Sequence, residues 1–239
     1  MHSRWPAARA CVYTVLTGNY EPLLEQPAAH KSELPFICFT DDPTQTSDTW
    51  QIRIIEPTMP NDPARSSRVP KIAAHRYLPE FDVSLYIDNC VLLTAPAEEA
   101  LDELLPNNAP MGAIAHTFRQ RLGEEFDGVR AAQRDTPQKI DEQHEHYLLA
   151  DPTSMELPVL CGGILARRHH DPLVAATMHR WLAHVMRYSR RDQLSLPVVL
   201  KQTGLDVNRS QVDIRQSAWH QWPIPELNRE LRGTNSDRH

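Results

Sequence analysis

Residues 84–93 constrain the fold of this chain more than any other stretch. An apolar run enters the segment, Asp88 and Asn89 interrupt it, and a second apolar run leaves it. A short continuous apolar run is typical of a buried strand, and parallel strands of α/β sheets are buried on both faces. Ligands bind such sheets at the carboxyl ends of the strands. Asp88 is therefore predicted to be either a cap for the next element or a ligand-binding group.

The composition predicts one globular domain that does not bind nucleic acid. The chain has 239 residues and a net charge of −6, with both signs mixed along the sequence. That length suits a single core, and a nucleic-acid footprint would need a basic face. No apolar run approaches the roughly 18 residues that span a bilayer, and the N-terminus lacks the apolar stretch of a signal peptide. We therefore expect a cytoplasmic protein without a transmembrane segment, in which the four dispersed cysteines are buried free thiols.

Alternating strand and helix patterns predict an α/β fold, with a Rossmann-like mixed sheet flanked by helices. Asp62 and Pro63 form the start signal of the first helix, whereas Pro70 is expected to bend or restart it. The predicted strands are 10–16, 35–40, 50–55, 84–93, 111–115 and 157–167. The predicted helices are 62–78, 96–105 and 173–188, a charged helix-rich stretch at 121–150, and an apolar helix after Gln193.

Polar residues follow the first two predicted strands. Thr17, Gly18 and Tyr20 come directly after the first strand, where a glycine lets the backbone approach a ligand closely. Asp41 and Asp42 follow the second strand. Paired carboxylates there could accept hydrogen bonds from a ribose or a base, but Asp-Asp-Pro is equally an ordinary turn initiator. Both alternatives stand.

A basic helix precedes the strand that ends at Asp88. Arg68 and Lys71 are three residues apart and share one helix face. Local positive charge before a strand-end carboxylate suits a diphosphate, although a solvated helix face would have the same composition. His116 and Arg119 follow the strand at 111–115. They are candidates for the same edge of the sheet, with a structural histidine as the alternative.

Two later motifs could also contact a ligand. Gly162 and Gly163 interrupt the strand at 157–167, and glycine in a strand marks a bulge or the close approach of a ligand or backbone. Arg191, Asp192 and Gln193 precede an apolar helix. Asp is a good helix cap, but a carboxylate beside an amide can also bond several sugar hydroxyls.

Taken in order, the motifs resemble a known family. The set is Tyr13-Thr14-x-x-Thr17-Gly18-x-Tyr20, Phe39-Thr40-Asp41-Asp42, Trp50, Ser67-Arg68-x-x-Lys71, His75-Arg76-Tyr77-Leu78-Pro79-Glu80-Phe81-Asp82, Tyr86-Ile87-Asp88, His116-x-x-Arg119, Gln143-x-x-x-Tyr147 and Arg191-Asp192-Gln193-Leu194-Ser195. This order and spacing are similar to those of the glycosyltransferase-like proteins that include the plant TOD and MUCI types and many bacterial members. The resemblance covers residues 10–205.

The resemblance implies a glycosyltransferase with a GT-A-type fold. It implies transfer of a sugar from a nucleotide-diphosphate donor to a saccharide or another hydroxyl acceptor. It divides the single domain, 1–239, into a nucleotide-sugar-binding half at 10–115, an acceptor half at 116–205 and a C-terminal tail at 206–239. Without a membrane anchor, we expect a soluble acceptor or one on a lipid carrier reached peripherally, and a bacterial surface-polysaccharide pathway fits by analogy.

The resemblance also assigns roles to individual residues. The donor-binding set is Thr17, Gly18, Tyr20, Asp41, Arg68, Lys71, Asp88, Asn89, Gly162 and Gly163. The acceptor-binding pair is His116 and Arg119, and the catalytic set is Arg191, Asp192 and Gln193. Asp192 is expected to be either the general base of an inverting enzyme or a ligand of the donor sugar.

One position departs from the family's pattern of acidic residues. Asp88 would be the first carboxylate of an Asp-x-Asp motif, which holds Mn²⁺ or Mg²⁺ against the diphosphate, but the second position is Cys90. A thiol is a poor ligand for these hard cations. Two alternatives follow. Asp88 binds the metal together with Asn89 and the distant His220, or the site is metal-independent and the two helix cations neutralise the leaving diphosphate.

Two other function classes compete with sugar transfer. A metal-dependent hydrolase could use Asp88, His116 and His220 as ligands, although their spacing in the sequence is not that of a hydrolase. A non-catalytic sugar-binding protein could have lost its metal together with the second carboxylate. Binding and turnover of nucleotide-sugars distinguish the three classes.

Overall fold

The structure is a computed structural model that describes residues 4–223. Its strands are β1 (Ala10–Leu16), β2 (Phe36–Thr40), β3 (Gln51–Ile54), β4 (Val83–Ile87), β5 (Leu92–Leu93), β6 (Met111–Ala115), β7 (Leu160–Arg167), β8 (Asn208–Ser210) and β9 (His220–Gln221). Its α-helices are α1 (Pro63–Ile72), α2 (Ala74–Tyr77), α3 (Ala97–Leu104), α4 (Leu122–Ala131), α5 (Pro137–Ala150), α6 (Pro172–Arg187) and α7 (Leu196–Thr203). No helix within this range is long and apolar enough to cross a membrane.

Seven strands form a mixed sheet in the order β3-β2-β1-β4-β7-β6-β8. Strands β3, β2, β1 and β4 are parallel, while β7 is antiparallel to both β4 and β6. The predicted α/β class with a mixed sheet is therefore confirmed. The carboxyl ends of β1, β2, β4 and β6 meet the amino end of β7 at one edge, so this edge gathers side chains that are far apart in the sequence.

The sheet separates two apolar layers. Successive residues of β1 alternate between them, with Val12 in the layer that contains α3 and Tyr13 in the layer that contains α1, α6 and α7. A third cluster packs under α4 and α5 around Leu122 and Phe126. The four cysteines are buried free thiols, as the sequence predicts. Because the core lies on both faces, the strands have little freedom and hold the edge residues in fixed positions.

Helix α1 continues through Pro70, so of the two expected effects this proline does not restart the helix. The break falls at Ala73, where α1 gives way to α2. Buried groups bind the last carbonyls of α1 at that point. The Arg167 guanidinium donates to the carbonyls of Ile72 at 3.2 Å and Lys71 at 2.7 Å, and the Tyr13 hydroxyl donates to Lys71 at 2.7 Å. These bonds replace the helical hydrogen bonds that the end of a helix lacks, so α1 stops with Lys71 in a fixed position.

Two predicted segments differ from the structure. The single strand expected at 84–93 is divided, because a turn in which the Val91 amide donates to the Asp88 carbonyl at 2.9 Å separates β4 from β5. The polar segment expected to be a C-terminal tail contributes β8, which pairs with β6, and β9, which pairs with β5. Residues 224–239 of that predicted tail lie outside the described residues.

The N-terminus of α1 is capped by Asp62. Its carboxylate accepts a hydrogen bond from the Arg65 amide at 3.0 Å and pairs with the Arg65 guanidinium at 2.6 Å. Because Asp-to-Ala substitution at an N-cap typically costs about 1 kcal/mol, we expect Asp62→Ala to lower the thermal midpoint by about 2–4 °C. Thermal unfolding followed by circular dichroism measures this. Asp62→Asn is the matched control, since its amide oxygen still caps the helix, and an equal loss in both variants would contradict the capping role.

Candidate active site

A cavity of about 340 Å³ opens at the edge of the sheet where β4 ends. Charged side chains dominate its lining. The basic residues are Arg68, Lys71, Arg119, Arg134, Arg191 and Arg215, and the acidic residues are Asp88, Glu125 and Asp192. The chain as a whole carries a net charge of −6, so the excess of cations in this cavity is local. A concave site with concentrated positive charge is suited to an anionic ligand.

Two cations and two carboxylates form a buried cluster at the base of the cavity. Lys71 Nζ lies 2.6 Å from Asp192 Oδ2 and 3.5 Å from Asp88 Oδ1. Arg68 Nε lies 3.2 Å from the same Asp192 oxygen. The Tyr86 hydroxyl donates to Asp88 Oδ1 at 2.6 Å, and Lys71 Nζ lies 4.9 Å from the centre of the Tyr86 ring. Helix α1, β4 and the turn at Asp192–Leu194 therefore converge on one ionic network.

The electrostatics of Asp192 indicate a carboxylate that is ionised at neutral pH. Burial by itself would raise the pKa of Asp192, but the cations of Lys71 and Arg68 outweigh that effect and hold the pKa below its ordinary value. A general base is most effective when its pKa lies near the operating pH. Of the two expected roles of Asp192, the geometry favours a ligand of the donor sugar over a general base.

Gly162 and Gly163 lie directly against these groups. A Cβ atom on Gly162 would lie 3.5 Å from Asp192 Oδ1 and 3.6 Å from Lys71 Nζ, and one on Gly163 would lie 3.4 Å from Asp88 Oδ2. The Asp88 amide donates to the Gly163 carbonyl at 2.8 Å. The sequence predicts that a ligand or backbone approaches these glycines closely. In the structure the side chains of Asp88, Asp192 and Lys71 make that approach, and the absence of a Cβ on each glycine leaves space beside both carboxylates.

Residues from the β6–α4 connection form another wall of the cavity. His116 Nδ1 accepts hydrogen bonds from the amides of Phe118 at 3.2 Å and Arg119 at 3.1 Å. Burial lowers the pKa of His116, so the ring is neutral at pH 7 and carries its proton on Nε2. His116 therefore has an N–H to donate. The Phe118 ring is 55% exposed, and the Arg215 guanidinium lies 4.7 Å from its centre.

Glu125 joins this wall to the motif of Arg191, Asp192 and Gln193. Its side chain is 1% exposed, and Oε2 lies 2.5 Å from Arg119 Nη1. The Gln193 amide donates to Glu125 Oε1 at 3.4 Å. Buried charges need such partners, so Glu125 holds Arg119 and Gln193 in a defined relation to each other.

The family model described as TOD1/MUCI70, glycosyltransferase-like domain, matches residues 24–216. The chain belongs to the TOD1/MUCI70 family. The resemblance in the sequence motifs is thereby confirmed. A probable hexosyltransferase of Arabidopsis thaliana, MUCI70, is 26% identical over 166 residues, which cover 66% of this chain and 29% of the plant protein. The chain thus spans less than a third of the length of that TOD1/MUCI70 relative.

Solved glycosyltransferase structures are similar to this TOD1/MUCI70 domain in outline. The apo structure of the WbbM bifunctional glycosyltransferase has a TM-score of 0.46 and 13% identity, covering 87% of this chain and 39% of the other. Apo mouse xyloside xylosyltransferase 1 has a TM-score of 0.48 and 11% identity, covering 86% of this chain and 85% of the other.

Part of the predicted donor set lies away from the cavity lining in this TOD1/MUCI70 domain. The Thr17 hydroxyl donates to the Pro63 carbonyl at 2.8 Å, and the Gly18 amide donates to the Asp41 carboxylate at 2.9 Å. A Cβ on Gly18, where φ is +76°, would lie 2.5 Å from Pro63 Cβ. These contacts hold the β1 turn against the start of α1. Tyr20 is 46% exposed. Burial by itself would lower the pKa of Arg68, but the carboxylates of Asp192 and Asp88, followed by the hydroxyls of Tyr86 and Tyr20, raise it above its ordinary value.

The structure corrects the prediction for Asn89. Its side chain is 2% exposed and turned into the protein. The amide nitrogen donates to Glu21 at 2.8 Å, and the amide oxygen accepts from the Leu24 amide at 2.8 Å. Asn89 therefore anchors the segment after β1 and is not available to a donor or a metal.

The structure also corrects the prediction for His220 as a metal ligand. Its ring is 1% exposed. Nδ1 is 2.7 Å from the Ser217 hydroxyl, and Nε2 is 3.1 Å from the Ile214 carbonyl. Since a carbonyl only accepts, Nε2 carries the proton and Nδ1 accepts from Ser217. Both nitrogens are engaged, and His220 is not one of the cavity residues that residues 4–223 supply.

Sequence reasoning missed several residues of the cavity. Glu125 lies in a charged stretch, yet Leu122, Phe126 and Val129 place the apolar stripe of α4 on the face that Glu125 shares. A single acidic residue on the apolar face of a helix is the sequence signal that could have identified Glu125. No comparable local signal marks Phe118, Arg134, Arg215 or Trp222, which are among the other cavity residues that the sequence analysis missed.

Proposed function

We propose that this domain is a GT-A-type glycosyltransferase that transfers a sugar from a nucleotide-diphosphate donor to a hydroxyl acceptor. The observation that carries the proposal is the ionic cluster of Arg68, Lys71, Asp88 and Asp192 at the base of a cavity with excess positive charge. Membership of a glycosyltransferase-like family supports it, as does the position of the cavity at the carboxyl ends of parallel strands. A hexose is our proposal for the transferred sugar, because the plant relative is a probable hexosyltransferase.

The proposed reaction needs separate groups for the diphosphate, the sugar and the acceptor. The bond between the anomeric carbon and the diphosphate oxygen breaks, and its electron pair leaves on that oxygen. The acceptor oxygen forms the new bond to the anomeric carbon and releases its proton to a base or to the departing diphosphate. Cations beside the phosphate oxygens stabilise the charge that develops there, which is the role proposed for Arg68 and Arg191.

The sugar is proposed to lie beside Asp192 and Gln193. The ionised Asp192 carboxylate accepts hydrogen bonds from sugar hydroxyls, and the Gln193 amide can both donate and accept. Gly162 and Gly163 carry no side chains that would lie between a bound sugar and the two carboxylates. Binding the hydroxyls in a fixed orientation brings the anomeric carbon into line with the acceptor.

The wall formed by His116, Phe118 and Arg119 is proposed to bind the acceptor. The exposed ring of Phe118 offers an apolar surface for the face of a saccharide. The His116 Nε2–H donates to a hydroxyl, and Glu125 fixes the Arg119 guanidinium beside it. The acceptor would therefore lie across the cavity from the ionic cluster.

Binding and turnover of a nucleotide-sugar panel test this proposal on the full chain. We expect calorimetry to show binding of at least one uridine- or guanosine-diphosphate sugar, and we expect release of the nucleoside diphosphate to accelerate when a saccharide acceptor is added. Binding without any release of the sugar would support the sugar-binding alternative instead. If no nucleotide-sugar binds, the transferase proposal and the sugar-binding alternative are both wrong.

A further inference from the structure

We propose that this domain neutralises the donor diphosphate with arginine and lysine side chains and takes no divalent metal at Asp88. The inference rests on the proposed function, because it concerns how the same site binds its donor. It follows from the donor atoms around Asp88 and from the arrangement of cations in the cavity.

The Asp88 carboxylate is already shared between two protein groups. Oδ1 accepts a hydrogen bond from the Tyr86 hydroxyl at 2.6 Å and faces the Lys71 ammonium at 3.5 Å. The Lys71 side chain is 2% exposed, so solvent does little to screen its charge. A divalent cation on Asp88 would compete for this carboxylate with a buried ammonium group and would be repelled by it.

No second metal ligand follows Asp88 in the chain. Cys90 is fully buried, and its sulfur accepts a hydrogen bond from the Trp222 indole at 3.0 Å. Mn²⁺ and Mg²⁺ prefer oxygen ligands, and the one nearby amide, that of Asn89, is bonded to Glu21 and Leu24. Across residues 4–223, no group of three or more His, Cys, Asp or Glu side chains could hold a metal ion. The described residues therefore do not fit the metal that the Asp-x-Asp pattern implies.

The cavity instead offers guanidinium groups. Arg191 Nε is shielded from solvent without a hydrogen-bond partner, and no ion pair joins Arg191 to a carboxylate of residues 4–223. Burial lowers the pKa of Arg191, Asp192 opposes that effect, and the nearby Arg68 and Arg134 add to it. Arg191 thus lies within electrostatic range of Arg68 and Arg134. Among residues 4–223, Arg68 is the one guanidinium of these three that pairs with a carboxylate of the site, so the positive charge of the arrangement is only partly compensated. An anion with several oxygens completes it.

A diphosphate matches this arrangement chemically. Guanidinium groups donate paired hydrogen bonds to phosphate oxygens in a fixed geometry. When the bond to the anomeric carbon breaks, the electron pair stays on the leaving phosphate oxygen, and the charge that develops there meets cations already in place. The site then needs no ion to be recruited for each catalytic cycle.

Calorimetry of the full chain with uridine diphosphate and guanosine diphosphate tests the inference. Each titration is run in excess EDTA and again with Mn²⁺ or Mg²⁺. We expect the dissociation constant of the nucleotide that binds to agree within about twofold under all conditions. We expect Arg191→Gln to weaken binding about tenfold or more, as loss of a charge-assisted hydrogen bond does. Arg180→Gln is the matched control, because Arg180 lies on the surface of α6 and bonds to Gln202.

The possible outcomes separate the two proposals. If Mn²⁺ or Mg²⁺ tightens binding about tenfold or more, the metal-independent site is wrong while the proposed function stands. Unchanged affinity in a folded Arg191→Gln variant would also overturn the inference. If neither nucleotide binds under any condition, both proposals fail together. Nucleotide binding by the wild-type chain in EDTA and with Mn²⁺ or Mg²⁺ tests whether the site uses a metal, even if the Arg191→Gln variant does not fold.

Discussion

Asp192→Asn is expected to lower the turnover of donor and acceptor by about a hundredfold or more while donor binding is still detectable. The substitution keeps the size of the side chain but removes the charge that orders Lys71 and Arg68. Misplacement of positioning groups by about 1 Å costs on the order of a hundredfold in rate. The measurements are steady-state release of the nucleoside diphosphate and calorimetric binding of the same donor. Asp206→Asn is the control, since Asp206 is exposed on the surface.

The pH dependence of stability gives an independent measure of the Asp192 charge. Because the folded-state pKa of Asp192 lies below its ordinary value of 3.8, ionised Asp192 stabilises the fold above that value, and the contribution is lost as the pH falls through the folded pKa. The difference in unfolding free energy between wild type and Asp192→Asn should therefore be constant near neutral pH and shrink below pH 3.8. Denaturant unfolding at a series of pH values measures it.

If the Asp192→Asn variant turned over donor and acceptor at the wild-type rate, the proposed role of Asp192 in sugar transfer would be wrong. A stability difference that does not change with pH would mean that the Lys71 and Arg68 cations do not hold this carboxylate in its charged form. The two results are separable, because the first concerns the substrate and the second concerns the protein alone.

The strands of this fold are predictable because burial leaves a local pattern. The core strands β1, β2, β4, β6 and β7 are short apolar runs, and five of the six predicted strands contain one of them. By contrast β8 and β9 are short and polar, and they are defined by partners about 100 and 130 residues earlier in the chain. No pattern within a strand of two or three residues specifies such a distant partner.

The sequence predicts those site residues that are charged and lie at or beside the end of a predicted strand or helix. Arg68, Lys71, Asp88 and Asp192 have partners that the sheet topology brings together, and each stands beside an element that the sequence marks. Asn89 and His220 show the opposite case. Their residue types suit a ligand, but hydrogen bonds set the direction of each side chain: Asn89 bonds to the Leu24 amide 65 residues earlier, and His220 bonds to Ser217 and the Ile214 carbonyl within its own loop. Residue type thus predicts which groups could act, whereas packing decides which of them face the cavity.

Lys71→Met is expected to lower the free energy of unfolding by about 3–5 kcal/mol, because removing one partner of a buried ionic network leaves the others uncompensated. The Lys71 and Asp192 side chains are only 2% and 6% exposed, so water cannot replace the lost ammonium. For a chain of this size the thermal midpoint should fall by about 10 °C. Lys201→Met is the control, since the Lys201 side chain is 46% exposed and surface pairs contribute about 1 kcal/mol or less.

A double-mutant cycle shows whether Lys71 acts through the carboxylates. In the double variant, which combines Lys71→Met with Asp192→Asn, the methionine contacts a neutral amide. The decrease in its free energy of unfolding should therefore be smaller than the sum of the two single decreases by about 1–3 kcal/mol. Additive losses would mean that the Lys71 ammonium stabilises the fold independently of the Asp192 carboxylate. Donor binding separates stability from function in the same variants. The double variant should be less destabilised than the sum of the single variants predicts, but its affinity for the nucleotide should stay low, because the cation that faces both Asp88 and Asp192 is still missing.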